Sequence, residues 1–389
     1  MKIVNARIYQ VNSGGIRPVL LELEAEDGTR GLGEAAVAYG TGSTAAAGMV
    51  KDIVERYLTG GVSAFQGEAI WNEFYDHSFW AKGGGPVVMG GISAVEQAML
   101  DLRARAIGVP VYELLGGRVN DSLRAYCNGW YFGCTADAEL PAAAEKAARD
   151  GYRALKFYPF VDILAEGRLR HPSRRATSDQ SLVLRAVQRV ADIRRAVGDE
   201  VELMLDLSSG ITPDDTIRFC REIEEYAITF IEEPTVPGDT RALAAVKAAI
   251  SQPVAVGERL YSRYGFRDVL EARAADILQP DIGNTGGVME ARRIAAMVEA
   301  YGLKVQPHIC ASAVSTAVGM HFSASIPNFY WQEHFPYWAR IHGHVEVVND
   351  PVEDDVTDGM VPVNDRPGFG VSLRRTAVDN WLWSEITLK

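Results

Sequence analysis

Six ionisable residues stand at near-regular intervals in this chain: Asp206, Glu232, Glu258, Asp281, His308 and Glu333. The successive steps are 26, 26, 23, 27 and 25 residues. Each residue closes a short apolar run, as in Val201-Glu-Leu-Met-Leu-Asp206, Thr229-Phe-Ile-Glu232 and Val305-Gln-Pro-His308. A strand plus its return helix takes about thirty residues, so the ladder advances one βα unit at a time. That places one functional group at the C-terminal end of each successive strand. Three carboxylates at one mouth, Asp206, Glu232 and Glu258, repel one another and could not all stay charged alone. A divalent cation relieves the repulsion. Hard oxygen donors without thiols or ligand histidines select Mg²⁺, which leaves positions open for substrate oxygens. A metal so held stabilises an enolate drawn from a bound carboxylate.

The next two rungs supply a base. An aspartate beside a histidine fixes its tautomer and raises its basicity, so the pair Asp281 and His308 reads as the proton-abstracting dyad. Lys156 ends an earlier run, Ala154-Leu-Lys156, and alternation puts Tyr158 on the same strand face. Both face the mouth in this reading. Glu333 either hydrogen-bonds the developing enolate in its protonated form or holds a substrate hydroxyl.

The elements that must position these groups form an α/β barrel. Adding Arg124-Ala-Tyr-Cys-Asn128 makes eight apolar runs separated by amphipathic stretches. Eight parallel strands close into a (β/α) barrel whose site lies at the strands' C-terminal ends. Before it, Lys2–Val11, Pro18–Glu24 and Gly31–Ala35 read as a hairpin sheet. Helical pattern follows from about Thr44 to Leu115, with Ile92, Val95, Met99 and Leu102 on one stripe. Gly108-Val-Pro110 stops that helix. The division expected is an α+β domain over 1–120, the barrel over 121–345, and a tail over 346–389 returning to the first domain. One irregular stretch, Phe160–Gln180, carries Arg168, Arg170, His171, Arg174 and Arg175 and reads as a lid or an oligomer contact.

Composition bounds the partners. The chain has 389 residues, 47% hydrophobic and 23% charged, as in ordinary soluble proteins. A formal net charge of −12 argues against nucleic acid or an anionic membrane as a partner. The four cysteines, Cys127, Cys134, Cys220 and Cys310, lack zinc-like pairing and read as reduced thiols. With no signal-like or membrane-spanning stretch, the expectation is a cytoplasmic protein.

Together the motifs resemble the mandelate racemase subgroup of the enolase superfamily over nearly the whole chain. They are Gly31-Leu-Gly-Glu-Ala35, Ser93-Ala-Val-Glu-Gln-Ala-Met-Leu-Asp-Leu102, Leu114-Leu-Gly-Gly117, Ile231-Glu-Glu-Pro234, Val256-Gly-Glu258, Gln279-Pro-Asp281 with Gly286-Gly287, and Pro307-His308. The resemblance implies a capping domain over a modified (β/α)7β barrel, with loops around Ala36–Thr41 and Trp80–Gly85 touching substrate. It implies Asp206, Glu232 and Glu258 as metal ligands, Asp281 and His308 as the dyad, Glu333 as the eighth-strand acid, and a homo-oligomer. Two departures stand out: Lys156-Phe-Tyr158 replaces a Lys-x-Lys pair, and Ser208 stands where asparagine is common. One strong base favours net loss of water. The chain thus looks like an acid-sugar dehydratase, turning a small anionic aldonate or aldarate into a 2-keto-3-deoxy acid. The alternatives are a racemase, epimerase or lactone cycloisomerase on the same metal and base. A Schiff-base aldolase on Lys156 and a non-catalytic barrel are further rivals.

Other residues read blandly. Glu233 is expected as a structural partner, and His334 points to the opposite strand face from Glu333. His77, His171, His321, His342 and His344 read as surface or satisfied core. Trp80 and Gly83–Gly85 form either a substrate loop or a flexible turn.

Overall fold

A computed structural model describes residues 1–164, 169–171, 179–337 and 342–389. Arg168, Arg174 and Arg175 lie outside them. Strands Ile3–Gln10, Val19–Ala25 and Arg30–Ala35 form an antiparallel meander. The last strand of the chain, Leu382–Thr387, pairs antiparallel with Ile3–Gln10 and completes a four-stranded sheet. The tail therefore returns to the first sheet.

Helix Gly85–Ile107 packs across the edge strand Arg30–Ala35. The glycines of Gly31-Leu-Gly33 are required by proximity: a Cβ on either would strike the helix backbone at Ala98 or Ala94. An edge strand leaves N–H groups unpaired. Here the helix supplies their partners, as Leu32 N donates to Asp101 Oδ2 at 2.8 Å and Glu34 N to Gln97 Oε1 at 2.9 Å.

Eight parallel strands make the barrel. In chain order they are Ser122–Cys127, Ala154–Phe157, Glu202–Asp206, Ile228–Glu232, Val254–Val256, Ile277–Leu278, Lys304–Val305 and Gln332–His334. Bridging of Val305 to Phe329 joins the seventh strand to the eighth and closes the ring. The sheet's inner face is filled by Tyr126, Met204, Phe230, Ala255 and Ile277. Such a filled interior leaves only the strand ends for chemistry.

Buried carboxylates fasten the cap to the barrel. Glu34 accepts from the backbone N of Ser312 (3.0 Å) and Ser315 (3.1 Å), and from both hydroxyls, at the start of helix Ala313–Ala324. Glu96 accepts from Val288 N (2.7 Å) and Met289 N (3.2 Å) at the start of helix Val288–Ala300. Both put an anion at a helix N-terminus, where backbone N–H groups and the dipole favour it. Beside them, Ala36 N donates to Gly283 O and Asn284 Nδ2 to Ala36 O, each at 3.1 Å. The segment after Glu34 is thereby pinned over the barrel mouth.

Candidate active site

The ladder residues occupy the strand ends the sequence assigned to them. Asp206 and Glu232 are the last residues of the third and fourth strands; Glu258, Asp281, His308 and Glu333 follow around the ring. The chain turns sharply after the first two. Ser208, Ser209 and Glu233 take left-handed backbone conformations with φ of 47°, 55° and 46°, a strain characteristic of functional sites.

Asp206 is buried, and its Oδ1 accepts from Ser208 N at 2.7 Å. Burial and the neighbouring Glu258 push its pKa up to about 7. Glu232 accepts from Lys156 Nζ through both oxygens (2.8 and 2.9 Å) and from Gln279 Nε2 at 2.8 Å. Glu258 faces Arg259 Nε at 3.3 Å with Oε1 and His308 Nε2 at 3.0 Å with Oε2. Arg259 in turn pairs with Glu233 at 2.7 Å and donates to Ser209 Oγ at 2.8 Å. Glu233 is thus a structural partner, as its sequence position suggested.

His308 is held at both nitrogens. Its Nδ1 lies 2.7 Å from Asp281 Oδ2, while Asp281 Oδ1 accepts from Gly283 N at 2.9 Å. Burial lowers the imidazole's pKa, but Glu258, Asp281 and the Cys310 thiol outweigh it and raise the group well above its ordinary value. Lys156 is 1% exposed and touches Glu232 and Glu333. Burial opposes its charge, but these two carboxylates prevail and keep it an ammonium. Glu333 also accepts from Asn128 Nδ2 (2.9 Å) and Ile309 N (2.7 Å). Against the effect of burial, Lys156 and His308 draw its pKa down. Glu333 is therefore held ionised.

The donor set fits a divalent cation. Asp206, Glu232, Glu233, Glu258, Asp281 and Glu333 converge with two fixed cations, Lys156 and Arg259, and one imidazole. The excess is negative and the donors are hard oxygens. Among the described residues no three Asp, Glu, His or Cys side chains already surround one cation position. The contacts account for this, since Glu232 is turned to Lys156 and Glu258 to His308.

A cavity of about 740 Å³ opens over these groups. The barrel contributes Asp206, Ser208, Glu258, Arg259, Asn284 and Cys310; the cap contributes Ala36, Val37, Tyr39 and Pro86. Of the two expected cap loops, the one around Ala36–Thr41 lines the cavity directly. No residue of the second, Trp80–Gly85, lines it: only the adjoining Pro86 does, while Trp80 is 74% exposed and Gly83 and Gly84 line a neighbouring groove. Tyr158 lines the cavity beside Leu169 and His171.

His171 is exposed, in keeping with its surface reading, but it also stands at the cavity wall. The other histidines agree with theirs. His334 is buried against Tyr152 Oη at 2.7 Å, His321 Nδ1 accepts from Tyr112 N, His344 is buried, and His77 and His342 are exposed. Sequence reasoning also missed Arg259, Asn284 and Cys310. Each lies within three residues of a ladder residue, and that adjacency was the available signal.

Comparison with known proteins agrees with this fold. Residues 139–377 match the family described as enolase C-terminal domain-like, and residues 12–116 the mandelate racemase / muconate lactonizing enzyme N-terminal domain. D-galactonate dehydratase of Ralstonia pickettii is 30% identical over 97% of this chain and 94% of its own length. D-gluconate dehydratase of Thermoproteus tenax is 32% identical over 75% of this chain and 56% of its own length. A crystal structure from Mesorhizobium loti superposes with a TM-score of 0.94 at 44% identity, covering all of both chains. No helix among the described residues is long and apolar enough to cross a membrane. The chain is an enzyme of the enolase superfamily, in its mandelate racemase / muconate lactonizing enzyme family, and its named relatives are dehydratases.

Proposed function

We propose that this protein is a hydro-lyase that removes water from an acid sugar, an aldonate or aldarate, to give a 2-keto-3-deoxy acid. One observation carries the reading. His308 is fixed at Nδ1 by Asp281 (2.7 Å) and presents Nε2 beside Glu258 (3.0 Å), and Glu258 lines the cavity. A base so oriented, next to a carboxylate cluster, suits abstraction of the proton alpha to a bound carboxylate.

Asp206, Glu232 and Glu258 are the residues that would hold Mg²⁺. The ion's contribution when bound is electrostatic, stabilising the negative charge that grows on the substrate carboxylate as the α-proton leaves. Glu258 would serve both as a ligand to the ion and as the neighbour of His308 Nε2 (3.0 Å), the nitrogen that takes the substrate C2 proton. Asp281 then stabilises the imidazolium. Lys156 holds Glu232 and Glu333 in place, opposing the rise that burial gives Glu232 and keeping Glu333 ionised, and Glu333 anchors the backbone of Ile309, next to the base. Tyr158 and the cap residues Val37 and Tyr39 bound the space left for the sugar chain. The named relatives, which act on D-galactonate and D-gluconate, support an acid sugar as substrate.

The test is a screen of aldonates and aldarates with Mg²⁺, read as semicarbazide-reactive product. A keto acid from at least one sugar, lost in His308→Asn, is expected. Epimers or ring-opened lactones without any keto acid would replace the dehydratase reading with another.

A further inference from the structure

Dehydration needs an acid as well as a base, because hydroxide is a poor leaving group. We propose that His171 protonates the departing hydroxyl, an inference that rests on the dehydratase reading. The residue follows a small hairpin, Asp162–Ile163 paired antiparallel with Leu169–Arg170, just beyond the second barrel strand. Asp162 ties the hairpin down, pairing with Arg170 at 2.9 Å and with Arg185 of helix Gln180–Val197 at 2.7 Å. His171 then lies at the cavity, its ring 4.6 Å from that of Tyr158 and edge-on at 71°. It stands beyond the second strand and His308 beyond the seventh, so the two imidazoles come from different sides of one mouth.

The other protic groups are less suited. Lys156 is 1% exposed and held by two carboxylates. Cys310 bonds to His308 itself, and burial pushes its thiol up to about 11. Burial drives the Tyr158 phenol well above 10. An imidazole donates best near neutral pH. His171 is exposed at the cavity wall, where it can exchange its proton with solvent.

The step balances without a co-reactant. His308 takes the C2 proton, and that electron pair forms the C2–C3 double bond as the C3–O bond breaks. The His171 proton joins the leaving oxygen as water. The enol then tautomerises to the 2-keto-3-deoxy acid, and both imidazoles re-equilibrate with solvent.

The experiment uses His171→Asn and His171→Gln in the full-length Mg²⁺-loaded enzyme, with an acid sugar that the wild type dehydrates, in D₂O. Dehydration is expected to fall roughly 100-fold or more, while deuterium still enters C2. A 3-deoxy-3-fluoro analogue, whose fluoride leaves without a proton, should be processed at close to the wild-type rate. Undiminished dehydration would overturn the assignment. So would a joint loss of C2 exchange and fluoride release, which marks a merely structural role. Failure of the underlying reading looks different: the wild type itself then yields no keto acid from any acid sugar.

Discussion

The Nζ of Lys156 lies 2.8 Å from Glu232 Oε1 and 2.9 Å from Glu333 Oε1, so one buried ammonium joins the ends of the fourth and eighth strands across the barrel. Glu232 and Glu333 are each about 1% exposed. Removing the shared cation leaves two buried carboxyl groups without their counter-ion. Lys156→Met should therefore cost about 3–5 kcal/mol of folding stability, read as a lowered midpoint in urea unfolding. A change below about 1 kcal/mol would show that the ammonium is dispensable to the fold.

The dyad makes a kinetic prediction. His308→Asn removes the base and should lower kcat by roughly 100- to 10,000-fold. Asp281→Asn keeps a hydrogen-bonding group at 2.7 Å from Nδ1 but loses the negative charge. It should lower kcat by less than His308→Asn does. Steady-state rates on the identified acid sugar decide the order, and equal activity of both variants and wild type would refute it.

Metal binding can be measured without turnover. Asp206→Asn replaces a charged oxygen donor on the cavity wall. Loss of groups that only orient ligands costs about 10–100-fold in metal affinity, and loss of a direct ligand should cost at least that. Titration calorimetry with Mg²⁺ supplies the number. EDTA should abolish activity and Mg²⁺ restore it. Unchanged affinity in the variant would place the ion elsewhere.

Two buried histidines that do not line the cavity set an acid limit on stability. Burial holds His321 and His334 at about 3, below the ordinary 6.5. Both are neutral in the fold and protonate readily once unfolded. Their contribution is complete above pH 6.5 and is lost as pH falls toward 3, each with a slope of up to about 1.4 kcal/mol per pH unit. Thermal unfolding followed from pH 7 to pH 4 should show this decline. His334→Gln should flatten it, and an unaltered slope would exclude His334 as a contributor.

Much of the site was legible because barrels repeat. Strand ends recur at unit spacing, so Asp206, Glu232, Glu258, Asp281, His308 and Glu333 could be placed around one rim from their numbers alone. The glycines of Gly31-Leu-Gly33 were legible only as a motif. Their reason, close approach of helix Gly85–Ile107, belongs to packing. His171 was legible only as part of a stretch read as a lid or an oligomer contact, because that stretch is arginine-rich without periodicity and reaches the cavity through a hairpin pairing.

The sequence by itself determined the order of elements, the positions of the ladder residues and the chemistry their types allow, since these follow from local periodicity and from spacing along the chain. Tertiary structure alone decided the partners: Lys156 between Glu232 and Glu333, His308 between Asp281 and Glu258, and Glu34 on the helix start at Ser312. These partners lie from 27 to 278 residues apart in the chain. Burial and charge at such contacts depend on how the ring closes and how the cap seats on it, and neither is written in any local stretch of chain.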